Sequence, residues 1–349
     1  MSVKKKHYLH EVQSTRPYLD KDYIQAGRLI ACVVGYLHPL AKVISFPKYL
    51  VAEKGKSVWK REGKVYIRLI KTYSIQEISK SIEMAEELFR EYVYYDKVLG
   101  CKVVGIPIIC IDEHYMPEKR LGELLKEKNL SNLESIAVEL AKELSSRSNI
   151  PLKSLGVTGS ILLKIHNERF SDINLVIYGL RESWKVLDVL KNMDISKCDK
   201  EWVNKIIKVY NVPPETAKEI YRRKVDKGVF LNKNFSVSFV RKPEEVREKY
   251  GEKVYRVIGR IELKAVILDP VESLFFPYTY KIKPLNVSHI FRESLKELVC
   301  FNGVYSGIFS EEEKVVINGV LVEVKSSGEK TYQVAVGSRE HPGFIKLLK

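Results

Sequence analysis

GVTGSILLKIHNERFSDINLVIYG, residues 156–179, sets a Gly-Ser pair between two apolar segments with the character of strands. Leu155–Val157 is short and apolar, and Ile173–Tyr178 is rich in β-branched residues, which favour a pleated, packed backbone. Gly159 and Ser160 stand where the first strand gives way to a brief helical turn. Glycine lets a backbone approach a ligand closely, and the first N–H groups of a helix have no partner within it. The pair therefore has the outline of a phosphate cradle. Eleven residues separate Ser160 from Asp172, which leads the second strand. Side chains 172 and 174 share a face because strand side chains alternate.

Working outward, Ser131-Asn-Leu-Glu134 has the form of a capping box and opens a helix whose apolar stripe is Leu133, Ile136, Ala137, Leu140 and Leu144. Beyond the second strand, a helix is expected around residues 183–191. Pro213-Pro214 stands at the first turn of another helix running to about Lys224, and residues 235–240 alternate as a strand. This order predicts an α/β core over residues 129–245. Upstream, residues 28–35, 43–51 and 64–70 read as an antiparallel sheet. Ser74-Ile-Gln-Glu77 caps a helix bearing Ile75, Ile78, Ile82, Ala85 and Leu88, and a short helix follows Pro117. Residues 1–128 are thus expected to form an α+β domain. Strands at 298–305, 314–324 and 331–336, the last two joined by Ser326-Ser-Gly-Glu329, make 246–349 a small β-rich region. A small barrel of the kind that binds single strands is one form it could take, with Phe301, Tyr305 and Tyr332 as its stacking candidates.

The chain carries 59 Lys and Arg against 44 Asp and Glu, a net charge of +15. Such a field concentrates polyanions, and nucleic acid, RNA ahead of DNA, is the expected partner. Lys218, Arg222, Arg223, Lys224, Lys227 and Lys233 cluster after the core. Lys218 and Arg222 share a helix face by their spacing of four and are candidates for holding phosphates. Five scattered cysteines with no C-x-x-C pair argue against a disulfide framework or zinc site, and buried free thiols are expected. His114 lies beside acids and reads as a surface turn, while His166 falls in the loop between Ser160 and Asp172. The apolar runs 29–37 and 103–111 are about half of the ~20 residues a membrane helix needs. No apolar stretch follows the N-terminal lysines, so the expectation is a cytoplasmic protein without a membrane partner. Abundant Lys and Glu with four Met suit a heat-adapted protein.

Gly159, Ser160, Asp172 and Ile173 resemble the signature of the DNA polymerase β-like nucleotidyltransferase superfamily: Gly-Ser, a spacer of this length, and Asp-h-Asp with h apolar. The wider stretches GVTGSILL and SDINLVIYG are similar to archaeal proteins labelled predicted nucleotidyltransferases. The resemblance covers roughly residues 130–245. It implies an α+β multidomain protein whose central core is built on a mixed sheet. It also implies transfer of a nucleotidyl group from an NTP to RNA or another acceptor, with Mg²⁺ or Mn²⁺ as the metal and a third carboxylate on a neighbouring strand. Asp172 would be catalytic and a metal ligand, Asn174 a second ligand, and Gly159, Ser160, Lys218 and Arg222 the NTP contacts. The sequence departs from the pattern at Asn174, which replaces a carboxylate with a neutral amide. It departs again at residues 235–240, where Ser236 and Ser238 occupy one face and no acid the other. Glu262 and Asp269 are the nearest downstream acids. A nucleotidyltransferase fold that binds nucleic acid without catalysis is the alternative expectation.

Overall fold

The computed structural model describes residues 16–72, 74–195, 199–287, 289–339 and 341–348. Among these, a mixed α/β chain forms three sheets and eight α-helices. The N-terminal sheet is antiparallel. It comprises β1 (Tyr23–Ala26), β2 (Leu29–Val33), β3 (Lys42–Ala52), β4 (Lys60–Arg61), β5 (Lys64–Arg68), β6 (Val93–Asp96), β7 (Cys101–Pro107) and β8 (Glu113–Tyr115). The order is β4-β5-β3-β2-β1-β8, with β7 also on β3 and β6 on β7. Every residue of β2 is buried, which explains its unbroken apolar run. The helix α1 (Ile75–Leu88) begins where the Ser74 hydroxyl accepts the Glu77 N–H at 3.3 Å, and it buries Ile82 and Ala85. Leu88, expected on that stripe, is 52% exposed. The helix α2 (Pro117–Leu124) leads out of this unit with proline in its first turn.

The capping box at Ser131 and Glu134 is formed, and it opens α3 (Asn132–Ser148). Then come β9 (Leu155–Val157), α4 (Gly159–Leu162), β10 (Ile173–Tyr178), α5 (Leu180–Asn192), α6 (Asp199–Tyr210), α7 (Pro214–Arg223), β11 (Lys227–Phe230) and β12 (Lys233–Val240). The second sheet has the order β11-β12-β10-β9 and is mixed: β10 runs parallel to β12, and the other pairs are antiparallel. Its core is made by Leu140 and Leu144 of α3 against Leu175, Ile177, Val237 and Phe239 of the strands. Helix α6 occupies a stretch for which the residue pattern had predicted no element. Both α6 and α7 turn their apolar faces, Ile206, Ala217 and Ile220, into the core of the C-terminal sheet.

That third sheet holds β13 (Val254–Asp269), β14 (Tyr278–Pro284), β15 (Leu295–Cys300), β16 (Lys314–Ser326), β17 (Glu329–Val336) and β18 (Phe344–Leu347), with α8 (His289–Ser294) before β15. Pairing runs β13-β14-β15-β17-β16 and returns from β16 to β13, so five strands close into a barrel and β18 adds to β16. Closure depends on one parallel pair, β15 with β17. Ser327 and Gly328 both have positive φ, 48° and 85°, as a two-residue hairpin turn of type I′ requires. Leu263, Ala265, Tyr280, Leu298, Ile317 and Val334 fill the interior. Tyr305 is also fully buried there, and its hydroxyl accepts the Ile345 N–H, so it is a core residue with no surface for stacking.

Two arginines, Arg120 buried and Arg16 partly so, tie the units together. Arg16 donates bidentately to Asp22 at 2.6 and 2.8 Å and reaches Glu118 of α2, which also accepts the Tyr178 hydroxyl of β10. His114 is no surface turn: its ring is 1% exposed and contacts Asp22 at 2.8 Å. Arg120 of α2 donates to Glu134 of α3 at 2.6 Å and to the Ile161 carbonyl of α4 at 3.2 Å. Cys32 and Cys300 are buried free thiols, Cys101 and Cys110 are half-buried, and Cys198 lies outside the described residues. No helix among the described residues is long and apolar enough to cross a membrane.

Removing the guanidinium in Arg120→Met leaves Glu134 as an uncompensated, nearly buried carboxylate. That change is expected to lower stability by about 3 kcal/mol. It should appear as a lower urea midpoint with an unchanged slope. An unmoved midpoint would mean that this pair does not hold α2 to α3.

Candidate functional site

The turn between β9 and β10 is built by close approach. Thr158 N–H donates to the Asn174 carbonyl at 2.8 Å, and its hydroxyl donates to the Lys21 carbonyl at 3.0 Å, so the N-terminal unit meets the central sheet here. Gly159 has φ +69°, and a side-chain carbon there would lie 3.0 Å from Asn174 Nδ2. Only glycine satisfies both demands without strain. Ser160 is buried, and its hydroxyl donates to Ser171 Oγ at 3.1 Å. It closes the loop 160–171. His166 of that loop contacts the Ser131 hydroxyl at 3.0 Å and supports the start of α3.

Asp172 and Asn174 do come together on one face. Asn174 Nδ2 donates to Asp172 Oδ1 at 3.0 Å, and Asn174 Oδ1 accepts from the Ser236 hydroxyl at 2.7 Å across the parallel ladder. This polarity is chemically forced. A carboxylate only accepts, so the amide NH₂ faces Asp172, and the amide oxygen is left for the hydroxyl. The result is a hydrogen-bonded chain, Asp172–Asn174–Ser236, where the resemblance implies a cluster of carboxylates.

A pair of hard divalent ions needs several converging oxygen ligands, most of them charged. These residues do not fit that requirement. Asp172 is the single acid on this face, the amide oxygen at 174 is engaged by Ser236, and no group of three His, Cys, Asp or Glu among the described residues could hold a metal. Glu262 accepts from Asn318 on the barrel at 3.1 Å. Asp269 accepts the Val271 N–H and pairs with Lys281, which together hold its carboxyl below the usual range. Neither acid lines the cleft into which Asp172 opens.

That cleft has a volume of about 1250 Å³ and lies between all three sheets. Asp172, Asn174, Ser236 and Ser238 line one side, Lys21 and Cys32 another, and Val299, Phe301 and Val320 of the barrel a third. Lys48 of β3, which is not among the lining residues, is 2% exposed. Burial holds its ammonium down to about 7, with Arg68 pushing the same way and Asp172 opposing. Most cleft acids are paired with a cation: Asp20 with Lys21, Asp226 with Lys224, Glu248 with Lys253, and Glu245 and Glu272 with a shared Arg241. Lys71, Lys205, Lys227 and Arg247 also line it, and none of these enters an ion pair among the described residues.

Lys218 and Arg222 are not brought to this place. They are 64% and 72% exposed on α7, where they pair with Glu215 and Glu219 outside the cleft. Of the basic cluster noted after the core, Lys224 and Lys227 reach the cleft. Lys48, Lys71, Lys205 and Arg247 had no local signal, because each belongs to a segment that is ordinary in isolation.

Over 356 aligned residues, the chain is 31% identical to the uncharacterized protein MJ1086 of Methanocaldococcus jannaschii, covering 94% of this chain and 98% of that protein. No protein-family profile matches the chain. No solved structure matches it either.

Gly159→Ala is expected to cost about 1–2 kcal/mol in left-handed strain and to push Asn174 off Asp172. Amide NMR of residues 172–174 would report the displacement, and unchanged shifts would refute the close-packing account. Lys48 gives a pH signature. The unfolded chain keeps the lysine proton up to 10.5 while the folded chain releases it near 7, so unfolding takes up protons between these values. Stability therefore rises with pH across that window and is penalised below it. Lys48→Met is expected to be more stable than the parent at and below pH 7, and to flatten the rise toward pH 10. Parallel melting curves at all pH values would disprove the buried titration.

Proposed function

This chain belongs to the same family as the Methanocaldococcus jannaschii protein, and we propose that it binds RNA in the central cleft, using a nucleotidyltransferase-like core without two-metal nucleotidyl transfer. The observation that carries this reading is the distribution of unpaired charge. Lys71, Lys205, Lys227 and Arg247 come from four separate segments and converge on one cleft without an ion pair among the described residues, while five of the cleft carboxylates are engaged by four other cations, Arg241 serving two of them. Unpaired cations gathered in a concave wall act on a polyanion together, whereas cations paired on an outer helix face do not. The order of the central sheet and the Gly159–Asp172 spacing support kinship with the nucleotidyltransferase core. The Asp172–Asn174–Ser236 chain speaks against the two-ion chemistry of that core. It offers instead hydrogen-bonding groups to a ribose or base.

Fluorescence anisotropy with a single-stranded RNA, titrated across about 50–200 mM salt, tests the reading. Four neutralised phosphates predict a slope of log affinity on log salt near about −3. Lys71→Glu and Lys227→Glu are each expected to weaken binding and to reduce that slope by about 0.7. Lys218→Ala and Arg222→Ala should leave both affinity and slope unchanged. In parallel, α-labelled NTP with Mg²⁺ or Mn²⁺ should yield no labelled RNA. Transfer that disappears in Asp172→Ala would overturn this reading in favour of a metal-dependent nucleotidyltransferase.

A further inference from the structure

We infer that the barrel carries a base-stacking subsite at Phe301 and Phe276, which makes unpaired RNA the occupant of the cleft; this rests on the RNA-binding reading above. Strands β14 and β15 are antiparallel, with Tyr278 opposite Cys300 and Tyr280 opposite Leu298. Their alternation sends Tyr280, Ile282, Leu298 and Cys300 into the barrel. Thr279 and Val299, on the opposite face, line the cleft. Phe301 continues that outward face. Its backbone N–H is held by the Val336 carbonyl at 2.9 Å, yet its side chain is 37% exposed and lines the cleft.

Phe276 stands beside it, with ring centroids 6.0 Å apart and planes tilted by 57°. The Lys21 ammonium, brought over from the N-terminal unit, lies 5.7 Å from the Phe276 centroid. Neither phenylalanine belongs to the apolar cluster that fills the barrel. Two adjoining aromatic rings outside the core, open to a cleft edged by unpaired cations, provide what a nucleobase needs: a π-surface beside positive charge for its phosphate. A duplex hides its base faces within its own stack, so only an unpaired strand can use such a surface. Charge complementarity with Lys71, Lys205, Lys227 and Arg247 favours this occupant over an apolar peptide.

The experiment compares one labelled RNA sequence as a single strand and as a duplex, bound by the full chain and by Phe301→Ala and Phe301→Trp. Loss of one stacking partner is expected to weaken single-strand binding by about 5- to 150-fold with the salt slope unchanged. Phe301→Trp is expected to retain affinity, and its added fluorescence to be quenched when RNA binds. The parent should prefer the single strand to the duplex. Melting temperatures of both variants should match the parent because Phe301 lies outside the barrel core. Equal single-strand affinity of parent and Phe301→Ala would overturn the subsite while leaving RNA binding intact, as would equal affinity for the duplex. Absence of salt-dependent binding by the parent would overturn both readings together.

Discussion

The guanidinium of Arg16 holds two units of the protein together. It satisfies Asp22, which is fully buried in the N-terminal unit, and Glu118 at the start of α2, which in turn accepts from Tyr178 of the central sheet. A carboxylate with no access to water is tolerated only when its charge and lone pairs are all met, and Asp22 is met by Arg16, His114 and the Leu19 N–H. This fixes the N-terminal sheet against the edge of the central one. The contact of Thr158 with the Lys21 carbonyl then has a defined partner, and the cleft beside it has a defined wall.

Within that frame, one substitution of chemical type changes what the central strand can do. A carboxylate at position 174 would repel Asp172 and require a cation between them. The amide that stands there bonds to Asp172 through its NH₂ and to Ser236 through its oxygen. Repulsion demanding a metal is replaced by a hydrogen-bonded chain that carries a single charge, that of Asp172. The close approach of Gly159 protects this arrangement, since any side chain there would meet the amide.

The charge of the whole chain acquires meaning only when sorted by partner. Lys218 and Arg222 share a helix face, yet Glu215 and Glu219 neutralise them locally. The cations that bear on the cleft are dispersed through the sequence and meet there because three sheets converge. The barrel contributes an apolar, partly aromatic wall to the same space. An extended polyanion with exposed bases matches both walls, which is the basis of the function proposed.

Local patterns determined much of this protein. The Ser131–Glu134 capping box, the strands at 155–157 and 173–178, the helix beginning after Pro213 and the hairpin at 326–329 all arise from nearest-neighbour sterics and short-range hydrogen bonds, which travel with the residues themselves. The shared face of Asp172 and Asn174 followed from strand alternation for the same reason. Tertiary structure decided what periodicity could not encode. Helix α6 owes its place to burial against the barrel, the sixteen-residue β13 owes its length to pairing with β16 and β14, and Tyr305 became core when five strands closed around it. His114 was drawn inward by Asp22, ninety-two residues away in sequence. Which cations face the cleft, and that Lys48 is buried near Asp172, depends on desolvation and long-range pairing, and those are properties of the assembled fold rather than of any segment.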